Sequence, residues 1–206
     1  MRKVRSVLRS ISVRLFRIFN AKEFRRFGKG VYVFSNVDIS GRSAIVIGDG
    51  VVIHDETVLS VQVNASRINE QLLSIGSGSN IGRRNHFFAL RSVTIGCNVI
   101  TASNVYISDC THDFSDPQTP IMYQPVLPLS PVDIGDGSWI GQNECIVGCR
   151  IGRNCVIGAG AVVLSDIPDF SVAVGAPARI VKTYNPVSRV WERPSDTNTA
   201  LEAVRN

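Results

Sequence analysis

Between Ile134 and Pro168 an aliphatic residue returns at every sixth position: Ile134, Ile140 and Ile146, then, one residue short, Ile151, Ile157 and Val163. A glycine follows most of them, as Gly135, Gly141, Gly152 and Gly158. A helix face repeats every three to four residues and a half-buried strand every two, so a period of six is neither. It describes a solenoid in which each hexad supplies one short strand and one corner, the aliphatic side chain pointing inward and the small residue allowing the turn. Three hexads close one triangular coil. The same register is legible earlier, at Ile47-Gly48, Ile53-His54, Ile75-Gly76, Ile81-Gly82, Ile95-Gly96 and Ile107-Ser108, with extended chain from Val31. It is blurred over residues 85–92 and broken over 61–72 and 110–131.

The second break carries Pro117, Pro120, Pro125, Pro128 and Pro131, too many prolines for ladder strands, so it is expected to leave the coil as a loop. A loop held at both ends by rigid coils is a natural place to present reactive groups, and this one opens with His112. Imidazole titrates near neutrality and suits a general base. The other histidines are His54, which decorates a corner, and His86, in the blurred coil. Asp109 and Asp113 lie close enough in sequence for either to orient His112.

Hydrophobic content of 44% and charged content of 19% describe an ordinary soluble protein. No apolar run is long enough to span a bilayer and no signal-peptide pattern opens the chain, so a cytoplasmic location is expected. Five cysteines without paired CxxC spacing suit free thiols in a reducing compartment and give no reason to expect zinc. The net charge of +5 is unevenly spread: residues 1–30 carry +9 and the remainder −4. Val4, Val7, Leu8, Ile11, Leu15 and Ile18 fall at helical spacing among those cations, which predicts a basic amphipathic helix within a segment 1–30. Two roles fit it, a cap on the solenoid's end and peripheral contact of residues 1–27 with the inner face of the cytoplasmic membrane. Nucleic acid is not expected as a partner, since no binding motif accompanies the charge.

Over about residues 45–182 the chain resembles the hexapeptide-repeat acyltransferases, most nearly the bacterial sugar and polysaccharide O-acetyltransferases. The resemblance rests on YISDCTHDF (106–114), PVDIGDGSWIG (131–141) and VGAPARIVK (174–182). It implies an all-β solenoid, a left-handed parallel β-helix over residues 31–182, with residues 183–206 as a C-terminal extension and tail. The left hand comes from the resemblance alone, because right-handed crossovers are the rule elsewhere. It also implies transfer of an acetyl group from acetyl-CoA to a hydroxyl of a sugar or lipid-linked glycan precursor. The transfer would be direct, in a ternary complex without a metal, within a homotrimer whose sites lie at subunit interfaces.

By that resemblance His112 is the general base, and Asn85 is an acceptor-binding asparagine with His86 beside it. Trp139 flanks the acetyl-CoA groove, and Gly141, Gly158 and Ala159 are the small residues where backbone amides approach the pantetheine arm. Arg179 and Lys182 meet the nucleotide phosphates. The chain departs from its relatives at Leu164-Ser165, where a Thr-Lys pair is frequent, and in the residue missing after Ile146. A non-sugar acceptor, such as an antibiotic or an amino acid, and a non-catalytic scaffold are the alternatives. A carbonic anhydrase of similar coil needs two histidines close in sequence, which this chain lacks.

Overall fold

A computed structural model describes residues 20–63 and 70–193, with Phe16 and Arg67 besides. The chain visits three parallel sheets in rotation. The first face stacks Arg26–Phe27, Ile45–Ile47, Leu73–Ile75, Val93–Ile95, Val132–Ile134 and Arg150–Ile151. The second stacks Tyr32–Val33, Val52–Ile53, Asn80–Ile81, Ile100–Thr101, Trp139–Ile140, Val156–Ile157 and Ser171–Val174. The third stacks Asp38–Ser40, Val58–Val61, His86–Ala89, Tyr106–Ser108, Cys145–Val147 and Val162–Val163. Alternate residues of each strand point inward, and the hexad aliphatics form columns down the core: Ile47, Ile75, Ile95 and Ile134 on the first face, Leu59, Phe87, Ile107 and Ile146 on the third, all buried.

The small residue after the aliphatic has a steric cause. A Cβ on Gly82 would lie 2.1 Å from the carbonyl oxygen of Ala102 in the next coil, a distance no side chain tolerates.

Several expectations change. The stretch 85–92 is blurred in sequence but not in space: His86 pairs with both Val58 and Tyr106, and Phe87 fills the aliphatic position. The residue missing after Ile146 is absorbed at a corner where Gly148 takes φ +55, and the pairing of Ile134 with Ile151 is unshifted. The first rung, Arg26–Phe27, precedes Val31. Beyond Pro168 the second sheet gains a further parallel rung, Ser171–Val174, and continues antiparallel through Arg179–Asn185 and Val190–Glu192, which covers its last edge.

The expected helix over residues 3–20 lies outside the described residues apart from Phe16 and Asn20, as does the tail from Ser195. Phe16 packs 6.4 Å from Phe24 and 6.3 Å from Phe27, against the first coil. Among the described residues no helix is long and apolar enough to cross a membrane.

Candidate active site

Residues 110–131 leave the coil between the rungs Tyr106–Ser108 and Val132–Ile134, and their base is ordered where a loop was expected. Cys110–His112 pairs antiparallel with Val126–Pro128, placing His112 opposite Val126. Asp113 N donates to Pro125 O at 2.8 Å and Leu129 N to Asp109 O at 2.7 Å, so the excursion is a two-stranded ribbon rooted in the wall. At its tip Gln124 Nε2 donates to Asp116 O and Thr119 O. His112 is exposed, and among the described residues its ring has no hydrogen-bond partner. Beside it stands an exposed apolar group: Phe114, Met122 and Tyr123 are 73, 75 and 74% exposed.

The expectation that Asp109 orients His112 is corrected by its geometry. Asp109 is fully buried, and its two oxygens accept from the backbone N–H groups of Leu90, Arg91 and Ser92 at 2.7, 2.7 and 2.6 Å. Arg67 closes the same corner from the other side, donating to Leu90 O at 2.7 Å and Arg91 O at 3.0 Å. Asp109 is therefore the bolt at the ribbon's root, its buried carboxylate turned to residues 90–92 and, among the described residues, unbonded to the imidazole. Asp113 is spent locally: Ser115 N donates to its Oδ1 at 2.9 Å, and the bonds from Ser115 hold its carboxyl below the usual range.

Asn85 also faces inward. It is fully buried, its Oδ1 accepting from Val105 N at 2.7 Å and its Nδ2 donating to Thr101 Oγ1, so it braces a corner and offers an acceptor no surface. His86 next to it is exposed, in a groove of about 460 Å³ shared with Glu56, Arg84, Asn104 and Tyr106. A larger cleft of about 750 Å³ on the first face holds none of the expected site residues, and its arginines are paired, Arg150 with Asp133 at 3.0 Å and Arg153 with Asp169 at 2.9 Å.

The residues expected for the donor fall together along one edge. Trp139, half exposed, stands in an outer column on the second face, after Ile100, that continues through Val156 and Val172 to Lys182, while Arg179 pairs with Val174. Gly141, Gly158 and Ala159 lie at the corner that follows this face. A Cβ on Gly141 would lie 2.8 Å from both Ala159 N and Ile157 O, so coil stacking alone explains that glycine. The open space is further on, at Gly160, where a Cβ would meet nothing within 4 Å. Arg179 and Lys182 are exposed, and among the described residues neither pairs with a carboxylate. An indole, an open stretch of corner backbone and two unpaired cations fit an elongated carrier that ends in phosphates. The donor edge opens the third face, whereas the ribbon bearing His112 leaves from its far end.

One residue was not singled out in the sequence although it could have been. Glu144 occupies the inward corner position two before Ile146, where other coils have Thr57, Asn85, Val105 and Ala161. It is 2% exposed, and among the described residues neither carboxyl oxygen has a hydrogen-bond partner. Burial raises its pKa to about 7, with the nearby Ala161 N–H pulling the other way. Arg67 had no such signal, because it sits in the stretch that breaks the hexad register.

Residues 131–165 match the family described as the hexapeptide repeat of succinyl-transferase. A probable acetyltransferase of Mycobacterium tuberculosis is 37% identical over 184 residues, 84% of this chain and 60% of the relative. The galactoside O-acetyltransferase of Escherichia coli is 38% identical over 123 residues, 54% of this chain and 57% of the relative. The chain thus spans a little under two thirds of the length of these curated relatives. The crystal structure of a maltose O-acetyltransferase from Clostridium difficile superposes with a TM-score of 0.54 at 30% identity, covering 80% of this chain and 72% of that one. The chain belongs to the hexapeptide-repeat acyltransferases.

The reassignment of Asp109 has a direct consequence. Asp109→Ala leaves backbone donors at residues 90–92 without an acceptor, at a cost of about 1–3 kcal/mol for each one that water does not reach. Urea denaturation should show a clearly lowered midpoint, and a midpoint equal to the wild type would contradict the anchoring role.

Proposed function

We propose that this chain is an acetyl-CoA-dependent O-acetyltransferase that acts on a hydroxyl of a sugar or glycan precursor, on a left-handed coil and as a homotrimer. The observation that carries the reading is His112: an exposed imidazole without a hydrogen-bond partner among the described residues, on a ribbon rooted by a buried carboxylate. His112 takes the proton from the acceptor hydroxyl as the oxygen attacks the thioester carbonyl. When the carbon–sulfur bond breaks, the imidazolium returns that proton to the departing thiolate. A backbone N–H near the groove steadies the developing oxyanion, and Arg179 and Lys182 hold the donor's phosphates. His86 and its groove serve the acceptor. Asp113 stays close to His112 as a counter-charge for the imidazolium, without a bond to the ring in the isolated chain.

The trimer is supported by the separation of the two halves of the site. His112 and the donor edge lie at opposite ends of one face, and a neighbouring copy can bring one copy's ribbon to another's donor edge. The exposed Phe114, Met122 and Tyr123 give the ribbon an apolar surface for that contact. The cationic segment 1–27 would hold the assembly near anionic membrane and its lipid-linked acceptors.

Two measurements follow. His112→Ala should lower kcat by about 10² to 10⁴ while acetyl-CoA affinity stays near that of the wild type, and wild-type turnover in the variant would remove the base assignment. Sedimentation equilibrium at micromolar protein should return the mass of three chains, and a monomer would end the shared-site reading.

A further inference from the structure

Glu144 is the least comfortable residue in the coil. A carboxyl group enclosed without a hydrogen bond is costly in either protonation state, and an apolar residue of similar size would relieve the cost. The same column one coil earlier holds Val105, so the site has no steric need for an acid. The carboxyl lies beside the proposed donor edge: the point where a Cβ of Gly141 would stand is 2.9 Å from Glu144 Oε1 and 2.8 Å from Ala159 N. In the turn above it, residues 158–161, the Ala161 N–H is the weakly engaged donor, reaching Gly158 O at 3.3 Å, whereas Gly158 N reaches Ala173 O at 2.9 Å and Gly160 N reaches Gln142 O at 2.8 Å.

We infer that Glu144 is a positioning residue whose protonation state sets the geometry of the turn 158–161, and through it the fit of the donor. As a neutral acid it leaves the Ala161 N–H to Gly158 O. As a carboxylate in an enclosed site it needs a donor, and the Ala161 N–H is the backbone donor that acts on it, so ionisation draws that amide downward and re-pitches the corner carrying Gly158 and Ala159. The burial that raises this acid's pKa to about 7 puts the change within the physiological range. Cys145 is the titratable neighbour that responds to it: burial raises the pKa of its thiol first and the Glu144 charge raises it further. No cation among the described residues offsets Glu144. Proton and donor are then coupled ligands of one corner, and each must change the affinity for the other by the same factor.

The donor half of this inference rests on the acetyltransferase reading, and the test separates the two. Full-length wild type and Glu144→Gln are titrated with acetyl-CoA by calorimetry at pH 6 and pH 8, and amide exchange of residues 158–161 is followed at both pH values without ligand. Acetyl-CoA has its own titrating phosphate, so the comparison between the proteins carries the result. The wild type should lose at least about fivefold more affinity than Glu144→Gln between pH 6 and pH 8, the low end of site–site couplings. Its 158–161 amides should change protection across that range beyond the intrinsic rate, while those of Glu144→Gln do not. Equal pH dependence of both affinity and exchange in the two proteins overturns the inference. A wild type that binds no acetyl-CoA yet shows the exchange difference overturns the donor reading and leaves the positioning of the turn in place. Glu144→Val, the residue of the preceding coil, should melt at or above the wild-type temperature, and a markedly lower melting point would make the carboxyl a structural group and contradict the inference.

Discussion

The backbone ladder between successive coils is the interaction on which the rest of the molecule depends. Gly48 N donates to Ile75 O, Gly76 N to Ile95 O, and Gly96 N to Ile134 O, each at 2.8 Å, and Gly135 N donates to Ile151 O at 2.7 Å. At Gly48, Gly76, Gly96 and Gly135 rungs held this close leave a Cβ only 2.4–2.5 Å from the next coil, and they give every coil the same narrow interior. The period of six follows from that. The ladder also explains how a long excursion is tolerated. Cys97 N reaches Asp136 Oδ1 at 2.7 Å across 39 residues, because closing a longer loop adds little entropy once the rungs on both sides are fixed.

The inward positions were legible in the sequence because the ladder imposes them on every coil. The reading faltered at Phe87, where an aromatic ring fills an aliphatic place, and at the ribbon, where proline density argued against strands. A two-stranded ribbon has free edges, and Pro128, at the end of Val126–Pro128, can sit there without leaving a partner unbonded.

The directions of two expected site side chains were not legible in the sequence. Asp109 stands three residues before His112, which suggested a local partnership, yet its carboxylate turns back to amides 17 to 19 residues earlier. Asn85 is likewise committed to Val105 and Thr101. Contacts between coils lie about twenty residues apart in sequence, and no local pattern reports them. Glu144 is the opposite case: an ionisable acid in a column that otherwise holds Thr57, Asn85, Val105 and Ala161 is visible as a misfit without any coordinates.

The proposed chemistry requires two halves that a single copy holds apart, an imidazole on a ribbon after the third face and the proposed donor edge before it. What unites them is the demand for an acceptor hydroxyl between an imidazole and a thioester. The most direct test is mass spectrometry of a pool of nucleotide-linked sugars and lipid-linked glycans, the latter in anionic vesicles, incubated with the full-length protein and acetyl-CoA. The account predicts one sugar species that gains a single acetyl group only when the protein is present. Acetyl-CoA left intact, or consumed to free acetate with every acceptor unchanged, would contradict it.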